Sequence, residues 1–142
     1  MKRIVIIILF LLCIGITYGQ LNNIKENCKS EFDLNSIKYI YTFVDSMPEF
    51  PGGIDSLNEF IKTNLKWPKD DGLDYNGSVY ISVIVETNGS LLNKKIIRGI
   101  YGPADNEALK LINKMPKWKP GKCNGILVPV KLIIPIKFVI YQ

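Results

Sequence analysis

The sequence predicts an α+β domain of two layers, a three-stranded antiparallel sheet packed against two helices. Three observations predict it. Residues 78–86 and 128–140 alternate apolar side chains, the period of strands with one face in a core. Residues 54–65 and 104–115 carry apolar side chains at helical spacing. The order helix, hairpin, helix, strand leaves the sheet one apolar face, which two amphipathic helices cover.

Residues 20–37 are polar and irregular, with Asn22-Asn23, Lys25-Glu26-Asn27 and Asn35-Ser36. They are read as a flexible N-terminal arm ahead of a domain over residues 38–142. Residues 37–44 alternate in part, as a short strand does, until Pro48, Pro51, Gly52 and Gly53 break any regular element. Ile54, Leu57, Phe60, Ile61 and Leu65 then gather on one helical face, and Pro68 stops the helix because the residue before proline avoids helical geometry. Val79, Ile81, Val83 and Val85 share one face of the next strand. Asn88-Gly89 is a strong hairpin signal, so residues 91–99 return beside it.

Ala104, Ala108, Leu111, Ile112 and Met115 line one face of a second helix, which Pro116 ends. Trp118 follows in a loop over residues 117–122. The last strand is the most regular: Val128, Val130, Leu132, Ile134, Ile136, Phe138 and Ile140 are all even-numbered and apolar.

Composition narrows the chemistry. A chain of 142 residues, 47% of them apolar, has room for one domain and is too apolar to stay disordered. It contains no histidine, which removes Ser-His-Asp and Cys-His sites and His-ligated zinc. No P-loop or Gly-x-Gly-x-x-Gly stretch offers a nucleotide foothold. Asp70, Asp71 and Asp74 lack the EF-hand ligand pattern. The expectation is a protein without enzymatic activity, cofactor or metal.

The N-terminus reads as an address. Lys2 and Arg3 precede thirteen uncharged residues, 4–16, and Thr17-Tyr18-Gly19 sets small residues for a cut before Gln20. Residues 1–19 therefore have the layout of a secretory signal peptide. The competing reading is an inner-membrane anchor over residues 4–18; thirteen helical residues reach about 20 Å, against a hydrocarbon core of about 30 Å. Cleavage removes Cys13 and leaves Cys28 and Cys123, an even pair in an oxidising compartment. The pair is expected to form a disulfide; two unpaired thiols are the alternative. Residues 20–93 carry six lysines and eleven acids, a net −5, whereas residues 94–142 are +8. In an exported chain the basic half reads as a solvated face, or as a docking surface, rather than a nucleic-acid site.

Pro129 and Pro135 sit inside the last strand, where neither donates to a ladder, so the strand belongs at an edge. Six residues apart, they point their backbone to the same side. With that side outward, Leu127, Lys131, Ile133, Lys137 and Val139 offer backbone groups to a partner. The alternative is that prolines and lysines merely protect an edge from aggregation.

Longer motifs decide between these. Met47-Pro48-Glu49-Phe50-Pro51-Gly52-Gly53 precedes the first helix, and Arg98-Gly99 closes the hairpin. Met115-Pro116-Lys117-Trp118-Lys119-Pro120-Gly121-Lys122 follows the second helix. Asn124-Gly125 and Val128-Pro129-Val130 lead into Pro135-Ile136. Over residues 40–140 the chain resembles the C-terminal domain of TonB in its Bacteroidetes-type short form. The resemblance implies a periplasmic binding module, not an enzyme, that grips a short extended segment, the TonB box, of an outer-membrane receptor. The peptide adds beside the last strand by β-augmentation in energy-coupled transport. Inner-membrane proton-driven motor subunits and a homodimer are further partners it suggests; nucleic acid is not. TonB proper carries a Pro-rich spacer, and residues 20–37 contain no proline. A second reading is an exported adaptor or structural protein that uses the same edge for self-association. Arg98 is the only arginine after residue 19, read as an internal or solvated charge or as a partner contact. Trp67 and Trp118 are read as caps on the core, with Trp118 also a possible partner contact.

Overall fold

The computed structural model describes residues 28–68 and 76–139. The predicted signal peptide, the first part of the arm and the Asp70–Asp74 loop lie outside them. The elements are β1 (Lys29–Asp33), β2 (Lys38–Phe43), α1 (Gly53–Asn64), β3 (Gly77–Val85), β4 (Leu91–Arg98), α2 (Gly102–Lys114), β5 (Gly121–Cys123), β6 (Ile126–Val128) and β7 (Val130–Phe138). No helix among them is long and apolar enough to cross a membrane.

Among the described residues the fold is α+β with two helices, as the periodicity predicts, but the sheet has five strands in the order β1-β2-β7-β3-β4, beside a small β5-β6 hairpin. The expected three strands are the β7-β3-β4 end of it. Of the extra pair, β2 is the short strand expected over residues 37–44, and β1 comes from the chain read as a flexible arm: Lys29–Asp33 pairs antiparallel with Lys38–Phe43. Asp33 makes this hairpin possible by accepting hydrogen bonds from the Asn35 N–H at 3.2 Å and the Ser36 hydroxyl at 2.5 Å. These bonds, the Ser36 hydroxyl first, hold the Asp33 carboxyl below its usual range. Lys38 then binds Glu86 at 2.6 Å and ties the hairpin to the end of β3.

β7 pairs with β3 over their whole lengths, from Gly77↔Phe138 to Val85↔Val130. The two alternating patterns mesh: Val79, Ile81 and Val83 meet Ile134, Ile136 and Phe138 in the main core. α2 closes that core with Ala104, Ala108, Leu111 and Ile112. α1 contributes only half-buried side chains, Leu57, Phe60, Ile61 and Leu65.

The last strand is shorter than expected. Asn124 and Gly125 both have positive φ, 50° and 79°, the requirement of a two-residue hairpin turn. They fold Ile126–Val128 back onto Gly121–Cys123, and β7 starts only after Pro129.

Candidate functional site

β7 was expected at the sheet edge; the structure sets it between β3 and β2. Ladder pairing with β2 is nevertheless limited to one parallel pair, Tyr41↔Val130, where the Tyr41 N–H donates to the Pro129 carbonyl at 2.9 Å. Pro129 has no N–H, so the pairing does not extend upstream. Downstream, the chain after β2 turns aside to bridge Ser46 with Lys122 and Glu49 with Lys119. The outer edge of β7 past Lys131 therefore has no strand partner among the described residues.

The Pro129 carbonyl also sets the register. It faces β2, away from β3, and backbone groups of alternate residues in a strand share a direction. Ile133, Pro135 and Lys137 thus turn their N–H and C=O groups outward, except for the donor Pro135 lacks. Lys131 points the same way, but the parallel register sets its N–H opposite the Tyr41 carbonyl. It does not offer a free donor, as the sequence suggested. Leu127 is also displaced: it lies in β6, paired with Lys122, and does not share the β7 edge.

Beside the free edge lies a groove of about 880 Å³, floored by Ile134 and walled by α1. Ile54, Leu57, Ile61 and Leu65 line its helix side, and Trp67 closes one end by packing edge-on against Phe138 at 5.6 Å. Pro135, Lys137 and Val139 line the strand side, with Lys62 a second cation. Lys137 and Val139, named from the sequence, are thus brought together here with Ile133 on the same edge. Helical periodicity found the α1 stripe but took it to face the core. No sequence signal set it apart, because α2 carries a stripe of the same width and buries four of its residues.

Two further candidates move away from the edge. Trp118 is 7% exposed and packs edge-on against Phe50 at 5.7 Å, so it is core and not a partner contact. Its indole N–H has no hydrogen-bond partner among the described residues. Arg98 lies exposed with its guanidinium 5.8 Å from the Tyr80 ring centre, a cation–π contact within the domain.

Cys28 and Cys123 have their sulfurs 2.06 Å apart and their Cα atoms 6.1 Å apart. Asp45 lies beside them, but its carboxylate accepts the Asn124 N–H at 2.6 Å, and bonded sulfurs offer no thiolate to a metal.

No curated protein and no solved structure matches the chain. Residues 69–140, half of it, match the family described as Gram-negative bacterial TonB protein C-terminal. The span takes in β3, β4, α2 and β5 to β7, and leaves out α1 and the motif at Met47–Gly53. A receptor-binding, transducing family fits a domain whose most evident feature is an unpaired strand edge beside an apolar groove, and to that family, the C-terminal domain of TonB, this chain belongs.

Proposed function

We propose that the protein is a periplasmic module that takes a short extended segment of a TonB-dependent outer-membrane receptor onto the free edge of β7. One observation carries this reading: between Ile133 and Lys137 the strand presents outward backbone groups with no partner among the described residues, alongside the groove under α1. An added strand gains main-chain hydrogen bonds from the edge, while alternate side chains enter the groove. Export, by a cleaved signal peptide or with residues 4–18 kept as an anchor, brings the domain to the compartment where such receptors present that segment. Contact with motor subunits belongs to the anchored form.

Two proline substitutions test the edge. Ile133→Pro removes one outward donor and leaves the β3 ladder intact. The fold is expected to survive, while a TonB-box peptide loses a hydrogen bond worth about 0.5–1.5 kcal/mol net. Leu132→Pro removes an inward donor and is expected to destabilise the domain by about 3 kcal/mol or more. Thermal melts and peptide titration of both variants read the contrast. Equal loss of stability would refute the register, and a stable Ile133→Pro variant with undiminished binding would place the peptide elsewhere.

A further inference from the structure

The turn between β1 and β2 leaves its largest side chains bare. Leu34 is 81% and Ile37 79% exposed. Just behind them Phe32 and Tyr39, paired across the strands, are about half exposed and stack edge-on at 5.2 Å. Apolar residues scattered singly over a surface are ordinary, whereas a group of four about one turn marks a contact. Ile37 is also held at φ 51°. That left-handed region suits glycine or asparagine, and a β-branched residue there is an outlier. Ile37 thus keeps a strained backbone while gaining almost no packing within the domain, and such strain persists at functional sites.

The polar groups of the turn are tied to one another. The Asn35 N–H, the Asn35 side-chain amide and the Ser36 hydroxyl all donate to the Asp33 carboxylate, at 3.2, 3.4 and 2.5 Å. Asp33 and Ser36 are half-buried. A turn that enters an apolar medium needs this arrangement, because polar groups without partners are heavily penalised there. From Cys28 to Phe43 the charges also balance, Lys29 and Lys38 against Glu31 and Asp33. The hairpin therefore meets a surface chosen by apolarity and not by charge.

Leu34 and Ile37, so exposed, form no concavity that would hold a small ligand. A second copy docked turn to turn would bury four side chains from each chain, far below the roughly 1,200 Å² of a stable interface. A lipid interface requires no such area. It takes aliphatic side chains into the acyl boundary and keeps tyrosine, apolar at one end and wet at the other, among the headgroups. The course of the chain agrees. β1 begins directly after Cys28, so residues 4–18, where kept in a membrane, join the domain at this hairpin. Residues 19–27 between them extend to at most about 32 Å.

We infer that the β1–β2 turn is a membrane-contact site, with Leu34 and Ile37 entering the lipid interface to a depth of about 5–10 Å and Phe32 and Tyr39 at the headgroups. Alone the contact is weak and reversible, and a second signal makes it stable. The one pair the hairpin makes with β7, Tyr41↔Val130, lies before the free edge, so the contact leaves that edge open.

The test co-sediments the exported chain, Gln20 to Gln142, which holds every described residue, with phosphatidylcholine vesicles. Association is expected and should persist at high salt, because screening does not weaken apolar insertion. Leu34→Ser and Ile37→Asn should each weaken it about tenfold, the effect of withholding one aliphatic side chain from burial. Ile37→Asn should melt no lower than the parent, since asparagine tolerates the left-handed region. Peptide titration at the β7 edge should be unchanged in both variants. Bicelles containing a spin-labelled lipid should broaden the amides of residues 34–37 most. No association, association lost at high salt, unchanged association in both variants, or broadening centred on the α1 groove would each overturn the inference. So would a doubled mass without lipid that Leu34→Ser abolishes, which would make a second copy the occupant.

Discussion

Gly89 sits at φ 81° as the last residue of the turn between β3 and β4. Its N–H donates to the Glu86 carbonyl at 2.8 Å, and its own carbonyl accepts the Trp118 N–H at 2.8 Å. A Cβ at this position would overlap the Trp118 carbonyl. Gly89→Ala therefore combines left-handed strain of about 1–2 kcal/mol with displacement of a buried tryptophan. The expected result is a melting temperature several degrees lower, with the disulfide intact; an unchanged melt would mean that the turn relaxes freely. The Asn88-Gly89 hairpin was legible because two alternating runs flank it. Asn124-Gly125 carries the same signal, but its flanks, Gly121–Cys123 and Ile126–Val128, are too short to show a period. The unbroken even-numbered pattern through Val128 then hid the break at Pro129, and Leu127 was assigned to the wrong strand.

At the scale of elements, the two helices look alike in sequence and differ in the structure. Each carries an apolar stripe and ends before a proline. α2 has four fully packed residues, whereas α1 has none, and Ile54 is 66% exposed. Periodicity gives the direction of a stripe and not the depth to which it docks. Depth is set by what lies opposite, and β2, which might have filled the space beside β7, turns away after one pair. Two substitutions separate the roles. Leu111→Ala in α2 leaves a core cavity and is expected to cost about 2–5 kcal/mol. Ile54→Ser in α1 should change stability by no more than about 0.5 kcal/mol while weakening peptide binding in the groove. Chemical denaturation and peptide titration would show it; a large loss of stability from Ile54→Ser would mean that α1 docks more deeply in solution. β1 escaped the sequence reading for a related reason. Lys-Ser-Glu-Phe-Asp at Lys29–Asp33 has a single large apolar residue, and its place depends on Lys38 and Cys28 making contacts distant in sequence.

For the molecule as a whole, β7 joins halves of opposite net charge. The acidic half supplies β1, β2 and β3, the basic half supplies β7, and β7 enters between β2 and β3. The charge imbalance, read as a solvated basic face, is thus interleaved within one sheet, with Lys119 and Glu49 3.4 Å apart across the halves. The Cys28–Cys123 bridge closes the same arrangement over a separation of 95 residues. Closing so long a loop restricts the unfolded chain, and removing a native bridge of this kind typically costs about 2–5 kcal/mol. The bridge also depends on where the chain matures, because thiols stay reduced in the cytosol and oxidise after export. One measurement reads both properties, the intact mass of protein recovered from cells without reductant. The expected mass is that of a chain beginning at Gln20 and lacking two hydrogens, and thiol labelling after denaturation should find no free cysteine. Reduction should then lower the melting temperature, since β1 and β5 lose the covalent link between them. A chain that retains residues 1–19 in the inner membrane would overturn cleavage and favour an anchored transducer. Two labelled thiols on a chain that begins at Gln20 would instead show that export occurs without the bridge, leaving β1 held to the sheet by β2 and the Lys38–Glu86 pair.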